Sequence, residues 1–218
     1  IAIKEDFAMA YFNKANALSN IDRWEEAILF YNKTFEYEKP QSVAYCAIGE
    51  CYERIENYEQ AMIYYNKAIS IEPDFADAWA GIGIVLSQQN RLTEAIHHFK
   101  KAIHIENKNE EFWYLIADTY QKLGRGEKSE TAYQKVIELN PFIESVWLDY
   151  SKLLFNLGDK EKAIKILAKG IKHHPESMEI YYRLATCLFW TGKKQEALIH
   201  FQHALQTDFQ KHEEIFKF

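Results

Sequence analysis

The amino-acid sequence predicts an all-α protein, a solenoid of stacked helix–turn–helix repeats. Three observations lead to this fold class: residue types recur every 34 residues, each recurring stretch holds two apolar stripes at helical spacing, and turn-forming residues separate the stripes. A fixed period of this length is typical of repeat arrays, in which each repeat buries its apolar face against its neighbours. With 48% hydrophobic residues in 218, the chain has enough apolar material for such a core.

Five columns of the sequence carry the repeat. The first half of each repeat opens on an aromatic column, formed by Tyr11, Tyr45, Trp79, Trp113, Trp147 and Tyr181. Four residues later comes a small column, formed by Ala15, Gly49, Gly83, Ala117, Ser151 and Ala185. The second half has another small column, formed by Ala27, Ala61, Ala95, Ser129, Ala163 and Ala197. Large residues follow it at Tyr31, Tyr65, Phe99, Tyr133, Leu167 and Phe201, and a looser column follows at Thr34, Ala68, Ala102, Val136, Gly170 and Ala204.

The repeat from Ala76 to Asn109 illustrates why each half should form a helix. In its first half, an apolar stripe with spacings of three, one and three residues consists of Trp79, Ile82, Gly83 and Leu86. A second stripe consists of Ala95, Phe99 and Ala102. Small residues let two helices approach closely, and rings fill the space beside them. The polar pair Asn90-Arg91 lies between the stripes and predicts the turn, and prolines that can stop second helices stand at Pro73, Pro141 and Pro175.

These columns resemble the tetratricopeptide repeat, a helix–turn–helix motif with this period. The motif is matched by Trp79, Ile82, Gly83, Leu86, Ala95, Phe99 and Ala102. The resemblance covers residues 8–211, almost the whole chain. It implies a right-handed superhelix whose first helices line a concave face and whose second helices form most of the outer surface.

The register divides the chain into six repeats, at residues 8–41, 42–75, 76–109, 110–143, 144–177 and 178–211. Residues 1–7 match the tail of a preceding second helix, and residues 212–218 match the start of a further first helix. Neither end resembles the polar capping element that solenoids need. We therefore expect the chain to be part of a longer array. Gly170 lies within a helix of the fifth repeat, where we expect it to cost roughly 1 kcal/mol relative to alanine.

Charge and cysteine content narrow the classes of partner and compartment. The net charge of −6, from 26 basic and 32 acidic residues, disfavours binding to a nucleic-acid backbone. The three cysteines follow no metal or redox spacing, which favours free thiols in a reducing, cytoplasmic compartment. No apolar run reaches the length of a membrane helix, so we expect no membrane insertion.

Catalytic and metal-binding patterns are also weak. His200 and His203 have a spacing that can present two imidazoles to one metal on a helix, but no third ligand accompanies them. The sequence has no glycine-rich phosphate loop and no nucleophile elbow. We therefore expect a protein without enzymatic activity, metal or cofactor.

The resemblance places function on the face of the first helices opposite the core stripe. Residues on this face that carry charge, amide or aromatic groups are Phe12, Asn16, Glu50, Arg54, Tyr114, Asp118, Asp149, Lys152, Tyr182 and Arg183. Tyrosine and arginine are over-represented at binding hot spots. We expect this groove to bind a protein or peptide segment with basic and apolar side chains.

A structural spacer or self-assembly module is the alternative function. In that case the array positions a neighbouring domain or stacks end to end. Ile215 and Phe218 occupy apolar positions of the helical register at the C-terminal end and favour such self-association.

Overall fold

The computed structural model describes the backbone of residues 2–215 and the side chains of residues 7–206, and all regular secondary structure within these ranges is α-helical. The chain divides into an N-terminal unit, Ile1–Lys108, and a C-terminal unit, Asn109–Phe218. The N-terminal unit contains α1 (Ala2–Ser19), α2 (Trp24–Thr34), α3 (Ser42–Arg54), α4 (Tyr58–Ile71), α5 (Ala76–Gln88) and α6 (Leu92–Ile105). The C-terminal unit contains α7 (Glu110–Lys122), α8 (Gly126–Leu139), α9 (Glu144–Asn156), α10 (Lys160–His173), α11 (Met178–Trp190) and α12 (Lys194–Ile215).

Within each unit the helices pack in pairs, with each first helix against the second helix that follows it. The all-α helical repeat fold predicted from the sequence is therefore confirmed. The hydrophobic core follows the columns, since the small residues Ala15, Ala95 and Ala163 are each fully buried. Two small-column serines are buried as well and find acceptors: Ser129 Oγ donates to the Ala117 carbonyl at 2.8 Å, and Ser151 Oγ donates to the Leu148 carbonyl at 2.8 Å.

One turn geometry joins the two helices of every pair. A residue with positive φ ends each first helix, at Asp22, Glu56, Asn90, Gly124, Gly158 and Gly192, and these positions lie 34 residues apart. The next amide donates to a carbonyl five residues earlier, as from Arg91 to Leu86 at 2.8 Å. This is the bond of a Schellman motif, which satisfies carbonyls left over at the helix end. At Gly158, where φ is +86°, the backbone conformation strongly favours glycine.

The aromatic column anchors the first helices to the preceding loops. Trp147 is 2% exposed, and its Nε1 donates to the Pro141 carbonyl at 2.9 Å. Trp79 makes the equivalent bond to the Pro73 carbonyl at 2.8 Å but is only half-buried.

Gly170 has a packing role that differs from the sequence-based expectation of a weakened helix. It is buried, and a Cβ placed there would lie 3.0 Å from Cγ of the Trp147 side chain. The absence of a side chain lets the indole of the preceding helix lie against the backbone of α10. The propensity cost of glycine is thus set against a close helix–helix contact.

The chain ends also differ from the predicted register. Both α1 and α12 are continuous, so no break occurs near residue 7 or near residue 211. A physical reason is visible in the sequence: the positions that correspond to Pro73, Pro141 and Pro175 are Glu5 and Phe209, and neither stops a helix. Side chains of residues 212–218 lie outside the described residues, and the repeat boundaries stay a prediction.

The close contact between Gly83 and Phe99 gives a test of the packing. A Cβ at Gly83 would lie 2.6 Å from Cε1 of Phe99, whose side chain is 1% exposed and has no free space to move into. We predict that Gly83→Ala lowers the free energy of unfolding by roughly 1–3 kcal/mol through overpacking. This outcome opposes the gain of about 1 kcal/mol that alanine brings to an open helix.

Chemical denaturation of the variant and the parent measures this difference. Gln88→Ala, at an exposed position of the same helix, is the matched control and should change the free energy by less than about 0.5 kcal/mol. A Gly83→Ala variant as stable as the parent would show that the two helices do not approach as described.

Candidate binding site

The N-terminal unit contains a cleft formed mainly by its first helices. Its volume is about 420 Å³. Helix α1 contributes Phe12 and Asn16, α3 contributes Cys46 and Glu50, and Asp77 lies in the first turn of α5. Three of the ten residues predicted from the sequence, Phe12, Asn16 and Glu50, are therefore brought together. The cleft arises because each first helix presents the face opposite its core stripe to the same side.

The floor of the cleft is held by Tyr31 of α2. The Tyr31 side chain is 3% exposed, and its hydroxyl donates to Asn16 Oδ1 at 2.6 Å. The ring of Phe12 lies edge-on to the Tyr31 ring at 5.4 Å. Burial raises the pKa of the Tyr31 hydroxyl far above its usual value, so this group remains a neutral donor. Asn16 and Phe12 are consequently fixed in place before any ligand arrives.

One wall of the cleft is acidic. Loss of hydration raises the pKa of Glu50, and the nearby Asp77 and Glu53 carboxylates raise it further. The pKa of Asp77 is also raised, first by loss of hydration and then by Glu106. Cys46 Sγ donates to Glu50 Oε1 at 3.7 Å. Carboxylates that repel one another in partial isolation from water favour a bound cation, which relieves both effects.

A smaller apolar concavity of about 250 Å³ adjoins the acidic cleft. It shares Phe12 and Val43 with that cleft and adds Met9 and Phe35. Met9 is 67% exposed and Val43 is 43% exposed, so both present apolar surface to solvent. We call the two concavities together the paired cleft.

Sequence reasoning missed the apolar half of this site. Met9, Val43 and Asp77 occupy equivalent positions, 34 residues apart, near the start of three first helices. Helical periodicity alone placed the candidate face further along these helices. The repeat column itself was the signal that could have found Met9 and Val43.

Arg54, also predicted for the groove, is not among the residues that line the paired cleft. Its guanidinium lies 5.9 Å from the ring centroid of Trp24. Its charge is therefore used in a contact with the aromatic ring at the start of α2.

In the C-terminal unit, two of the predicted residues bind each other. The Tyr114 hydroxyl donates to Asp149 Oδ2 at 2.6 Å and so connects α7 with α9. Burial, followed by the hydrogen bond to Asp149, raises the pKa of Tyr114. The Tyr114 ring also contacts Tyr133 edge-on at 6.0 Å. These contacts give Tyr114 and Asp149 a structural role.

The other predicted residues of this unit lie at more open positions. Asp118 forms an ion pair with Lys122 at 2.7 Å, and Arg183 lies 3.8 Å from Glu179. Lys152 is exposed. Tyr182 is 56% exposed and has an edge-on contact with Phe201 at 5.5 Å. Exposed ion pairs within one helix contribute little to stability, so these charges can exchange partners readily.

Metal-binding and redox chemistry find no support among the described residues. They contain no group of three or more His, Cys, Asp or Glu side chains arranged to hold a metal ion. The rings of His200 and His203 lie against Tyr181, at 5.8 and 3.9 Å. The three cysteines are buried and unpaired. Among the described helices, none combines the length and the apolar composition needed to cross a bilayer.

The paired helices, the 34-residue turn and the small-to-large contacts define the class of protein as a tetratricopeptide repeat protein. A family model described as the Cilia and flagella-associated protein 70 C-terminal domain matches residues 7–215. The chain belongs to this family. None of the curated proteins compared with the chain matches it.

Solved structures of other tetratricopeptide repeat proteins are similar to this chain. MamA from Desulfovibrio magneticus RS-1 has 19% identity and a TM-score of 0.67, covering 79% of this chain and 97% of its own. PilF of Pseudomonas aeruginosa has 15% identity and a TM-score of 0.76, covering 90% of both chains. YrrB, a tetratricopeptide repeat protein with an unusual peptide-binding site, has 21% identity and a TM-score of 0.64, covering 81% of this chain and 91% of its own. At these identities the likeness shows the fold.

The bond between Tyr114 and Asp149 leads to a prediction about stability. Tyr114→Phe removes the donor and leaves the half-buried Asp149 carboxylate with one partner fewer. We expect the free energy of unfolding to fall by roughly 1–2 kcal/mol, as is typical of a bond to a charged acceptor. Thermal and urea denaturation measure the change.

Tyr182→Phe removes a hydroxyl from an exposed tyrosine in the same unit and is the matched control. It should alter the free energy of unfolding by less than about 0.5 kcal/mol. Equal effects of the two substitutions would contradict the structural role assigned to Tyr114.

Proposed function

We propose that this protein is a protein–protein interaction scaffold whose paired cleft binds an extended protein segment with basic and apolar side chains. The observation that carries this proposal is the direct contact between an acidic cleft and an apolar concavity. Both concavities share Phe12 and Val43, so a ligand that fills one reaches the other.

The apolar half of the paired cleft accepts an aliphatic or aromatic side chain. Met9 and Val43 are exposed at its rim, and Phe35 is partly buried there. Covering apolar surface contributes about 25 cal/mol for each Å² removed from water. A methionine rim adapts its shape easily to different side chains. This half supplies affinity with modest selectivity.

The acidic half selects a lysine or arginine side chain. Glu50 and Asp77 are the carboxylates of its wall, and Asn16 offers an amide beside them. The mutual repulsion that raises the pKa of Glu50 disappears when a cation lies between the carboxylates. Charge complementarity of this kind sets specificity and the association rate more than it sets affinity.

An extended backbone fits the arrangement of the two halves. In an extended segment, side chains two residues apart point to the same side and are separated by roughly 6.6 Å. Neighbouring concavities that share two wall residues suit an apolar and a basic side chain in such alternate positions. The peptide-binding site named for the similar structure of YrrB supports the class of function.

A second candidate is a spacer or self-assembly module, favoured by apolar surface on α12. Leu198 and Leu205 are 57% and 69% exposed. The corresponding residues of α10, Ile164 and Ile171, are partly buried. Exposed apolar positions that are partly covered in the preceding repeat favour contact with a further helix or a second copy. The side chains of Ile215 and Phe218, which suggested this function from the sequence, lie outside the described residues.

We also propose a reducing, cytoplasmic location. The support is that Cys46, Cys51 and Cys187 are all buried as free thiols, although a stable disulfide is common in chains that fold in oxidising compartments.

A peptide-binding measurement tests the acidic half of the paired cleft. The probe is a short labelled peptide that alternates leucine with lysine. We predict that the double variant Glu50→Gln with Asp77→Asn binds it at least about tenfold more weakly, because two carboxylates of the site are lost. Fluorescence anisotropy at low and high salt measures the affinity, which should fall with salt for the parent.

Glu25→Gln with Glu59→Gln is the matched control. It removes two exposed carboxylates of the same unit and produces the same change of net charge. Its affinity should lie within about twofold of the parent. If both double variants lost affinity equally, the attraction would come from net charge and the paired cleft would have no special role.

The pH dependence of binding provides an independent test. Glu50 and Asp77 have raised pKa values, so they take up protons at a higher pH than ordinary carboxyl groups. Protonation removes the charge that attracts the lysine. We therefore predict that affinity for the same peptide is full at neutral pH and falls on acidification already above the usual glutamate pKa of about 4.3. A pH-independent affinity across this range would contradict the role of these carboxylates.

A further inference from the structure

A second surface lies in the C-terminal unit, where Trp190 ends α11. Its side chain is 63% exposed. The residues at the equivalent position of the other repeats are Asn20, Arg54, Gln88, Lys122 and Asn156. All five are polar, and all five are exposed. This position therefore faces solvent inside the array as well as near its end, and helix packing does not require a tryptophan there.

Three further residues surround Trp190. The Lys160 ammonium lies 6.0 Å from the Trp190 ring centroid and 5.4 Å from that of Phe155. Phe189 is 49% exposed and contacts Trp190 edge-on at 6.4 Å. We call Phe155, Lys160, Phe189 and Trp190 the aromatic–lysine patch.

The N-terminal unit has the same contact with its chemistry reversed. There Trp24 begins α2, and Arg54 at the end of α3 lies over its ring at 5.9 Å. In that arrangement the aromatic ring is partly covered and the cation faces solvent. In the C-terminal unit the cation begins the second helix and the indole faces solvent. Either arrangement gives one cation–π contact, so the contact itself does not explain why the larger apolar group is outside.

The charge around the patch is positive. Lys160 forms no ion pair with any carboxylate among the described residues. The Lys194 ammonium lies 5.9 Å from the Phe189 ring. Lys193, by contrast, is neutralised by Glu161 at 2.9 Å. An exposed indole with unpaired ammonium groups beside it complements a ligand that combines carboxylates with an apolar side chain.

We infer that the aromatic–lysine patch is a docking surface for an acidic segment of a partner protein, one that carries aspartate or glutamate next to an aromatic or leucine side chain. Tryptophan is the residue type most enriched at binding hot spots, and its large apolar face is covered by such a side chain. Lys160 receives a carboxylate of the segment. The chemistry of this ligand is opposite to that of the basic segment proposed for the paired cleft, so the two proposals stand or fall separately.

Binding of a short labelled peptide to the full chain tests the inference. In the probe, glutamates flank one phenylalanine and one leucine. We expect Trp190→Asn to weaken binding at least about tenfold, as loss of a hot-spot tryptophan does. Lys160→Gln should weaken binding about threefold and reduce its salt dependence. Asn is the native residue at the equivalent position 156, so Trp190→Asn should keep the parent's circular dichroism and thermal transition.

Leu198→Asn is the matched control, since Leu198 is a comparably exposed apolar residue of the same unit outside the patch. It should bind the acidic peptide within about twofold of the parent. Failure of the parent to bind the peptide, or equal binding by parent and Trp190→Asn, overturns the inference. It is also overturned if Trp190→Asn converts a dimer to a monomer in sedimentation equilibrium while peptide binding is unchanged, because the patch then joins two copies of the chain.

Discussion

The fold depends on the close contact between a small residue of each first helix and a large ring of the second helix that follows. A Cβ at Gly83 would collide with Phe99, and a Cβ at Gly49 would lie 2.8 Å from Tyr65. Because the two helices touch at these points, the positions opposite the contact necessarily face away from the core. The paired cleft is built from those positions. A substitution that separates the helices would therefore alter the binding surface as well as the stability.

The two units offer surfaces of different chemical character on the same type of scaffold. In the N-terminal unit, Glu50 and Asp77 make one wall of a cleft negative and leave apolar surface beside it. In the C-terminal unit, Trp190 and Lys160 form a positive aromatic surface at the turn between helices. The core columns are nearly the same in both units, so this difference is carried by positions that packing leaves free to vary. Repeat proteins diversify their binding in this way without changing the fold.

Much of the fold could be predicted because packing dictates the residue types of the columns. The 34-residue period, the helix pairs and the turns followed directly from it. The binding residues were only partly predictable. Periodicity shows which way a side chain points, and it found Phe12, Asn16 and Glu50. It does not show whether a polar side chain already has a partner, which is why the bond between Tyr114 and Asp149 emerged only from the structure. The packing of Trp147 against Gly170 was hidden for the same reason, since it depends on two residues far apart in sequence.

The central claim is that the paired cleft holds an extended basic and apolar segment. The most direct measurement is nuclear magnetic resonance of the isotopically labelled chain during titration with the leucine–lysine peptide. The account predicts that the largest chemical-shift changes occur at Met9, Asn16, Val43, Glu50 and Asp77, with saturation at a single affinity. Changes confined to α12 or to the C-terminal unit, with these five residues unaffected, would contradict it and would favour the self-assembly function.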